Sequence, residues 1–131
     1  MKKVVKFGGS SLASAEQFKK VGNIIHQDES RRYVVPSAPG KRFPDDTKVT
    51  DMLYACYAAA EEGKDFSEQL AKIHERYQEI IDGLNLDFTL DKDFEVIRSE
   101  FERKAGKDYA GSRGEFLNGK IMAAYLGYEF V

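Results

Sequence analysis

A lysine followed by two glycines and two hydroxyls can do chemistry. In Lys6-Phe7-Gly8-Gly9-Ser10-Ser11 a cation sits at the end of an apolar, β-branched run, and the glycines let backbone N–H groups come close to an anion. At the head of a helix such a turn cradles a phosphate, with Lys6 adding a point charge to its oxygens. The spacing fits neither G-x-G-x-x-G nor G-x-x-x-x-G-K-[ST], so this is neither the dinucleotide fingerprint nor the P-loop. An ordinary strand-to-helix turn uses the same residues, and the local pattern leaves both readings open.

Three further groups gain meaning beside this turn. Ser37-Ala38-Pro39-Gly40 follows a second β-branched run, Thr50-Asp51-Met52-Leu53 opens a helical pattern, and Ser112-Arg113-Gly114-Glu115 is expected to open another. Parallel α/β sheets bind ligands at the carboxyl ends of their strands, which puts Lys6, Gly8 and Ser37 on one rim. Thr50 offers a hydroxyl there. Glu115 can pair with an amine or simply satisfy a helix dipole. Gly114, Gly119 and Lys120 imitate a P-loop, but Ile121 stands where a magnesium-binding hydroxyl is needed. His26 and His74 lack companions at metal-ligand spacing, so no metal ligands are expected. Cys56, the one cysteine, lies on an apolar helical stripe and reads as a small buried hydrophobe.

The elements that must position these residues follow from periodicity. Val4 to Phe7 and Arg32 to Pro36 read as strands on either side of a helix with a Ser14/Gln17 capping box and Phe18, Val21, Ile24 and Ile25 on its apolar face. Strand, helix, strand is a βαβ unit, which favours a parallel sheet. A polar loop runs to Lys48, and a helix carrying Val49, Leu53, Cys56 and Ala60 ends near Gly63. Two more helices, about 66–105, form a protruding hairpin whose charged residues, Lys72, Glu75, Arg76 and Glu79 among them, are read as solvated. The last helix is expected after Gly111-Ser112 and stops at Gly127, with a third strand over 128–131.

Composition bounds the rest. In 131 residues, 20 basic against 22 acidic side chains leave a net charge of −2, which argues against a dedicated nucleic-acid binder. Hydrophobic residues make up 42% of the chain, enough for a real core. No apolar run approaches the roughly 18 residues of a spanning helix, so no membrane partner and a cytoplasmic location are expected.

In their order, the four motifs closely resemble the amino-terminal half of aspartate kinases. The resemblance implies the amino acid kinase fold, a three-layer αβα sandwich that is incomplete here, with residues 1–131 as its amino-terminal part and a helical hairpin insertion at about 66–105. It implies ATP-dependent phosphorylation of the β-carboxylate of L-aspartate to 4-phospho-L-aspartate, early in lysine, threonine and methionine biosynthesis. By motif, Lys6 would neutralise the transferring phosphoryl group, and Gly8, Gly9 and Ser10 would bind its oxygens through the backbone. Ser37, Thr50 and Glu115 would hold aspartate, with Glu115 facing its ammonium. ATP and Mg2+ would be bound mainly by parts outside this chain, since the family's adenine and ribose loops and its regulatory ACT domains have no counterpart here. A homo-oligomer is implied, and the chain alone is expected to be inactive. Pro36 and the long loop from Lys41 to Lys48 depart from the family pattern. Alternatives are a non-catalytic half-domain serving binding or assembly, and relatives such as glutamate 5-kinase or uridylate kinase.

Overall fold

The computed structural model describes residues 2–130. Strands β1 (Lys3–Phe7) and β2 (Arg31–Pro36) pair in parallel, Lys6 opposite Val35 and Phe7 opposite Pro36. Parallel neighbours need a crossover, and helix α1 (Ala15–His26) supplies it. Its start is the expected one: the Gln17 N–H donates to Ser14 Oγ at 3.4 Å. Phe18, Val21 and Ile25 are buried, whereas Ile24, from the same apolar series, is exposed. Pro36 does not break β2. It takes the last position, where its missing N–H costs the ladder least, and the Ser37 N–H donates to Phe7 O at 3.1 Å one step beyond.

Four helices follow: α2 (Val49–Glu61), α3 (Ser67–Gly83), α4 (Asp91–Glu102) and α5 (Lys107–Leu126). Gly63 ends α2 in the left-handed conformation, with Lys64 N–H bonded to Ala59 O and Gly63 N–H to Ala60 O. The expected protruding hairpin does not stand off. Ile73, Tyr77, Ile80 and Ile81 of α3 and Phe94, Ile97 and Phe101 of α4 belong to the same core as Phe18, Leu53 and Leu117. Apolar stripes of this width bury themselves against whatever helix is near, here α1 and α2.

Two expectations at the carboxyl end are overturned. Helix α5 starts at Lys107 behind Gly106 (φ 119°), so Gly111, Ser112 and Gly114 lie inside it. Its Gly111 and Gly114 are there for packing: a Cβ at Gly111 would lie 2.5 Å from Tyr54 Oη, and one at Gly114 2.6 Å from Ala38 Cβ. No third strand forms over 128–130, and Val131 lies outside the described residues. The Tyr128 N–H is spent on Ala123 O at the helix end (2.9 Å), and Phe130 folds back edge-on against Phe116.

Along β1 and β2, Val5, Phe7 and Val34 face the helices, while the alternate residues Val4, Tyr33 and Val35 are 68%, 54% and 45% exposed. The described residues thus form an α/β fold with one helical layer, a small parallel sheet that is not closed, and an open opposite face. No described helix is long and apolar enough to cross a membrane.

Candidate active site

The glycine turn runs from β1 into a short 3-10 turn, Gly9–Leu12, and α1 begins only at Ala15. The positive end of a full helix therefore does not abut the glycines, contrary to the sequence expectation. What the turn offers instead is backbone: the amides of Gly9 and Ser10 precede its first hydrogen bond, Ser11 N–H to Gly8 O at 3.2 Å. The two glycines differ in their reasons. Gly9 is crowded, since a Cβ would meet Ala38 O at 3.0 Å. Gly8 has extended dihedrals (φ −78°, ψ 169°) that any residue adopts, and nothing lies within 4 Å of where its Cβ would be. Neither conformation nor protein packing requires a glycine at position 8. Open space beside a bare backbone leaves room for the close approach of an anion.

The Ser37–Gly40 loop locks onto this turn backbone to backbone. Gly40 N–H donates to Gly9 O at 2.8 Å, and a Cβ on Gly40 would sit 2.7 Å from Gly9 C and 2.8 Å from Ser10 N. From there Val49 N–H reaches Pro39 O at 3.1 Å, tying the start of α2 to the same loop. Gly114 of α5 closes the group, with the place of its missing Cβ 2.6 Å from Ala38 Cβ and 3.7 Å from Thr50 Oγ1. Four motifs scattered over 110 residues thus meet around one backbone junction.

Gly9, Ser10 and Ser37 adjoin on this rim, Lys6 and Gly8 flank them in the chain, and Thr50 lies beside Gly114. Glu115 follows Gly114 in the third turn of α5, so the helix-dipole explanation for it falls away. Its side chain lines an open cleft of about 740 Å³ between β2 and α5, together with Val34, Pro36, Phe116 and Met122. Among the described residues, the side chains of Lys6, Ser10, Ser37, Thr50 and Glu115 make no hydrogen bond or ion pair within the protein. They are polar groups committed to nothing else.

Three residues that the sequence reading did not mark hold the junction. Asn118, fully buried, donates from Nδ2 to Ser37 O at 2.7 Å. Tyr77, also buried, donates its hydroxyl to Gly114 O at 2.8 Å, and burial pushes its phenol well above the usual range. Arg76, read as solvated, is 4% exposed and donates to Gly40 O at 2.6 Å and Thr47 O at 2.9 Å. The α3 periodicity places Tyr77 in the core. Nothing local could reveal that Arg76 and Asn118 serve carbonyls far away in the chain.

The remaining candidates behave as the bland readings hold. Lys120 is engaged with Asp93 at 2.6 Å and is not part of a P-loop. His74 stacks on Phe94 and lies 3.0 Å from Asp91. Cys56 is buried, its thiol pushed up to about 11 by desolvation. Among the described residues no group of three or more His, Cys, Asp or Glu could hold a metal ion.

Comparison with known proteins places this geometry. The model of the amino acid kinase family matches residues 1–129. The chain is similar to Aspartokinase 3 of Bacillus subtilis (strain 168), 41% identical over 141 residues, covering 98% of this chain and 30% of the relative. It is also similar to Aspartokinase 1, chloroplastic, of Arabidopsis thaliana, 33% identical over 94% of this chain and 23% of that protein. The crystal structure of Clostridium acetobutylicum aspartate kinase superposes with a TM-score of 0.93 at 49% identity, over 98% of this chain and 29% of that one. E. coli aspartokinase III, solved in complex with aspartate and ADP, shares the fold with a TM-score of 0.76 at 24% identity, over 97% of this chain and 29% of that one. The chain spans about 30% of the length of Aspartokinase 3.

Proposed function

The chain belongs to the amino acid kinase family, and from that premise we propose that it is the amino-terminal part of the catalytic domain of an aspartate kinase, with α3 and α4 as a helical insertion. The reaction passes the γ-phosphoryl group of ATP to a β-carboxylate oxygen of L-aspartate: the new O–P bond forms as the bond to the ADP oxygen breaks. The product, 4-phospho-L-aspartate, feeds lysine, threonine and methionine biosynthesis. Such a transfer needs mostly positioning and charge stabilisation, and little covalent chemistry from the protein. Lys6 stabilises charge on the phosphoryl oxygens, and the backbone of Gly8, Gly9 and Ser10 binds them. Ser37 and Thr50 hold aspartate, and Glu115 pairs with its ammonium across the mouth of the β2–α5 cleft.

The observation that carries this reading is the unencumbered glycine at position 8, on a rim shared with Ser37 and Thr50. Resemblance to 41%- and 49%-identical aspartate kinases supports the acceptor. ATP would be shared with segments outside this chain. Mg2+, where bound, would supply charge neutralisation at the phosphates, and no described residue is assigned to it.

A chimera tests the proposal directly. Residues 1–129 replace the matching segment of Aspartokinase 3 of Bacillus subtilis, and the acyl phosphate is trapped with hydroxylamine. Aspartyl hydroxamate is expected in excess over glutamyl hydroxamate. A preference for glutamate, or phosphorylation of uridylate instead, would move the chain to another member of the family, and a folded but inactive chimera would favour the non-catalytic reading.

A further inference from the structure

The loop that separates Ser37 from Thr50 is long, polar and mostly exposed, yet it must hold both residues at one distance for them to grip a single small ligand. Its two ends are gathered on one side chain. Arg76, from the middle of α3, gives Nη2–H to Gly40 O at 2.6 Å and Nη1–H to Thr47 O at 2.9 Å. The first bond seizes the residue whose own N–H holds Gly9 O, and the second seizes the stretch that leads into Val49 and Thr50. Asp46 Oδ2 lies 3.6 Å from the guanidinium, while Arg42 grips that carboxylate at 2.7 Å and Glu79, one turn beyond Arg76 on α3, at 2.9 Å.

A buried cation is costly unless its partners are in place. Arg76 Nε finds no acceptor among the described residues. The two carbonyls and Asp46 therefore provide most of the compensation, and the loop cannot drift without uncovering the charge. We infer that Arg76 is a positioning residue for the site: from α3 it fixes the separation of Ser37 and Thr50 and, through Gly40, the setting of Gly9 and Ser10. The inference rests on the functional reading above for what the rim binds. It makes the α3–α4 hairpin part of the site's scaffold.

Amide hydrogen exchange in the 131-residue chain provides the test, read at Gly40 and Val49, whose N–H groups bond to Gly9 O and Pro39 O. Arg76→Met is expected to speed exchange at both about tenfold or more, with Val21 and Ile25 of α1 unchanged. Arg76→Lys, able to serve one carbonyl at a time, should fall between. Unchanged Gly40 and Val49, or equal acceleration everywhere, would overturn the inference. If Arg76→Met fails to fold, the same comparison in Arg76→Lys decides. In the chimera, Arg76→Lys should raise KM for aspartate about tenfold with kcat changed far less, and an unchanged KM would also overturn it. A chimera inactive toward aspartate would count against the functional reading alone, leaving the exchange data to judge Arg76.

Discussion

At the scale of single residues, the roles assigned to Lys6 and Glu115 separate kinetically. In the proposed reaction Lys6 meets charge that grows during phosphoryl transfer, so Lys6→Ala in the chimera should lower kcat by about 10²–10³ and leave aspartate binding nearly intact. The role proposed for Glu115 is to meet an ammonium that is present in ground and transition states alike, so Glu115→Ala should chiefly raise KM for aspartate. The reverse pattern in steady-state kinetics would exchange the roles. Asp46 gives a prediction in pH. Hydrogen bonds from Arg42 hold its carboxyl well below the ordinary 3.8, so the folded state binds this proton less readily than the unfolded chain does. Its stabilisation is complete above pH 4 and is lost as pH falls further. Thermal unfolding followed from pH 6 to pH 2 should show a shallower acid limb in Asp46→Asn. The meeting of the glycine turn and the serine loop was legible because both follow the carboxyl ends of strands expected to pair in parallel. Arg76 and Asn118 were not, because their partners are backbone carbonyls 36 and 81 residues away, and a backbone carbonyl leaves no mark on the sequence.

At the scale of elements, periodicity located β1, β2 and all five helices, because each buries one continuous stripe. Glycine serves packing in these helices. Gly83 is the last residue of α3, where the apolar series of the sequence also ends, while Asn85 (φ 55°) makes the left-handed turn, with Leu86 N–H bonded to Ile81 O. The bare backbone of Gly83 lets α3 touch α1: a Cβ there would overlap Ala15 Cβ. Gly83→Ala should therefore destabilise the chain by about 1–3 kcal/mol despite its better helix propensity. Adding Ala15→Gly should recover much of that loss in a double-mutant cycle by chemical denaturation, and independent, additive effects would show that the two helices do not meet there. Gly111 and Gly114 misplaced the start of α5 for the same reason. A helix crossing at a bare backbone looks, in sequence, like a loop.

At the scale of the whole molecule, the sheet has two strands among the described residues and one uncovered face bearing Val4, Tyr33 and Val35. Unpaired strand edges beside exposed apolar residues favour association. The 131-residue chain should self-associate, with a melting temperature that rises with concentration; a monodisperse monomer by light scattering, with a concentration-independent transition, would contradict this. It should also form no hydroxamate from ATP, magnesium and aspartate above a Lys6→Ala control, since it spans about 30% of the length of Aspartokinase 3. The parallel pairing was legible from the βαβ order, while the fate of 128–130 was not, because a strand is defined by a neighbour and not by its own residues. The bond from Asn118 to Ser37 spans 81 residues, and that separation sets an order of events during synthesis. The glycine turn and the serine loop leave the ribosome first, Arg76 follows, and α5 comes after it. At about 5–20 residues per second, Ser37 O waits about 4–16 s for its donor. Until α3 emerges, in the earlier part of that interval, the apolar face of α1, with Phe18, Val21 and Ile25, has little to cover it. The nascent chain is then a natural client for a chaperone, and a slower codon run after residue 40 would lengthen its exposure.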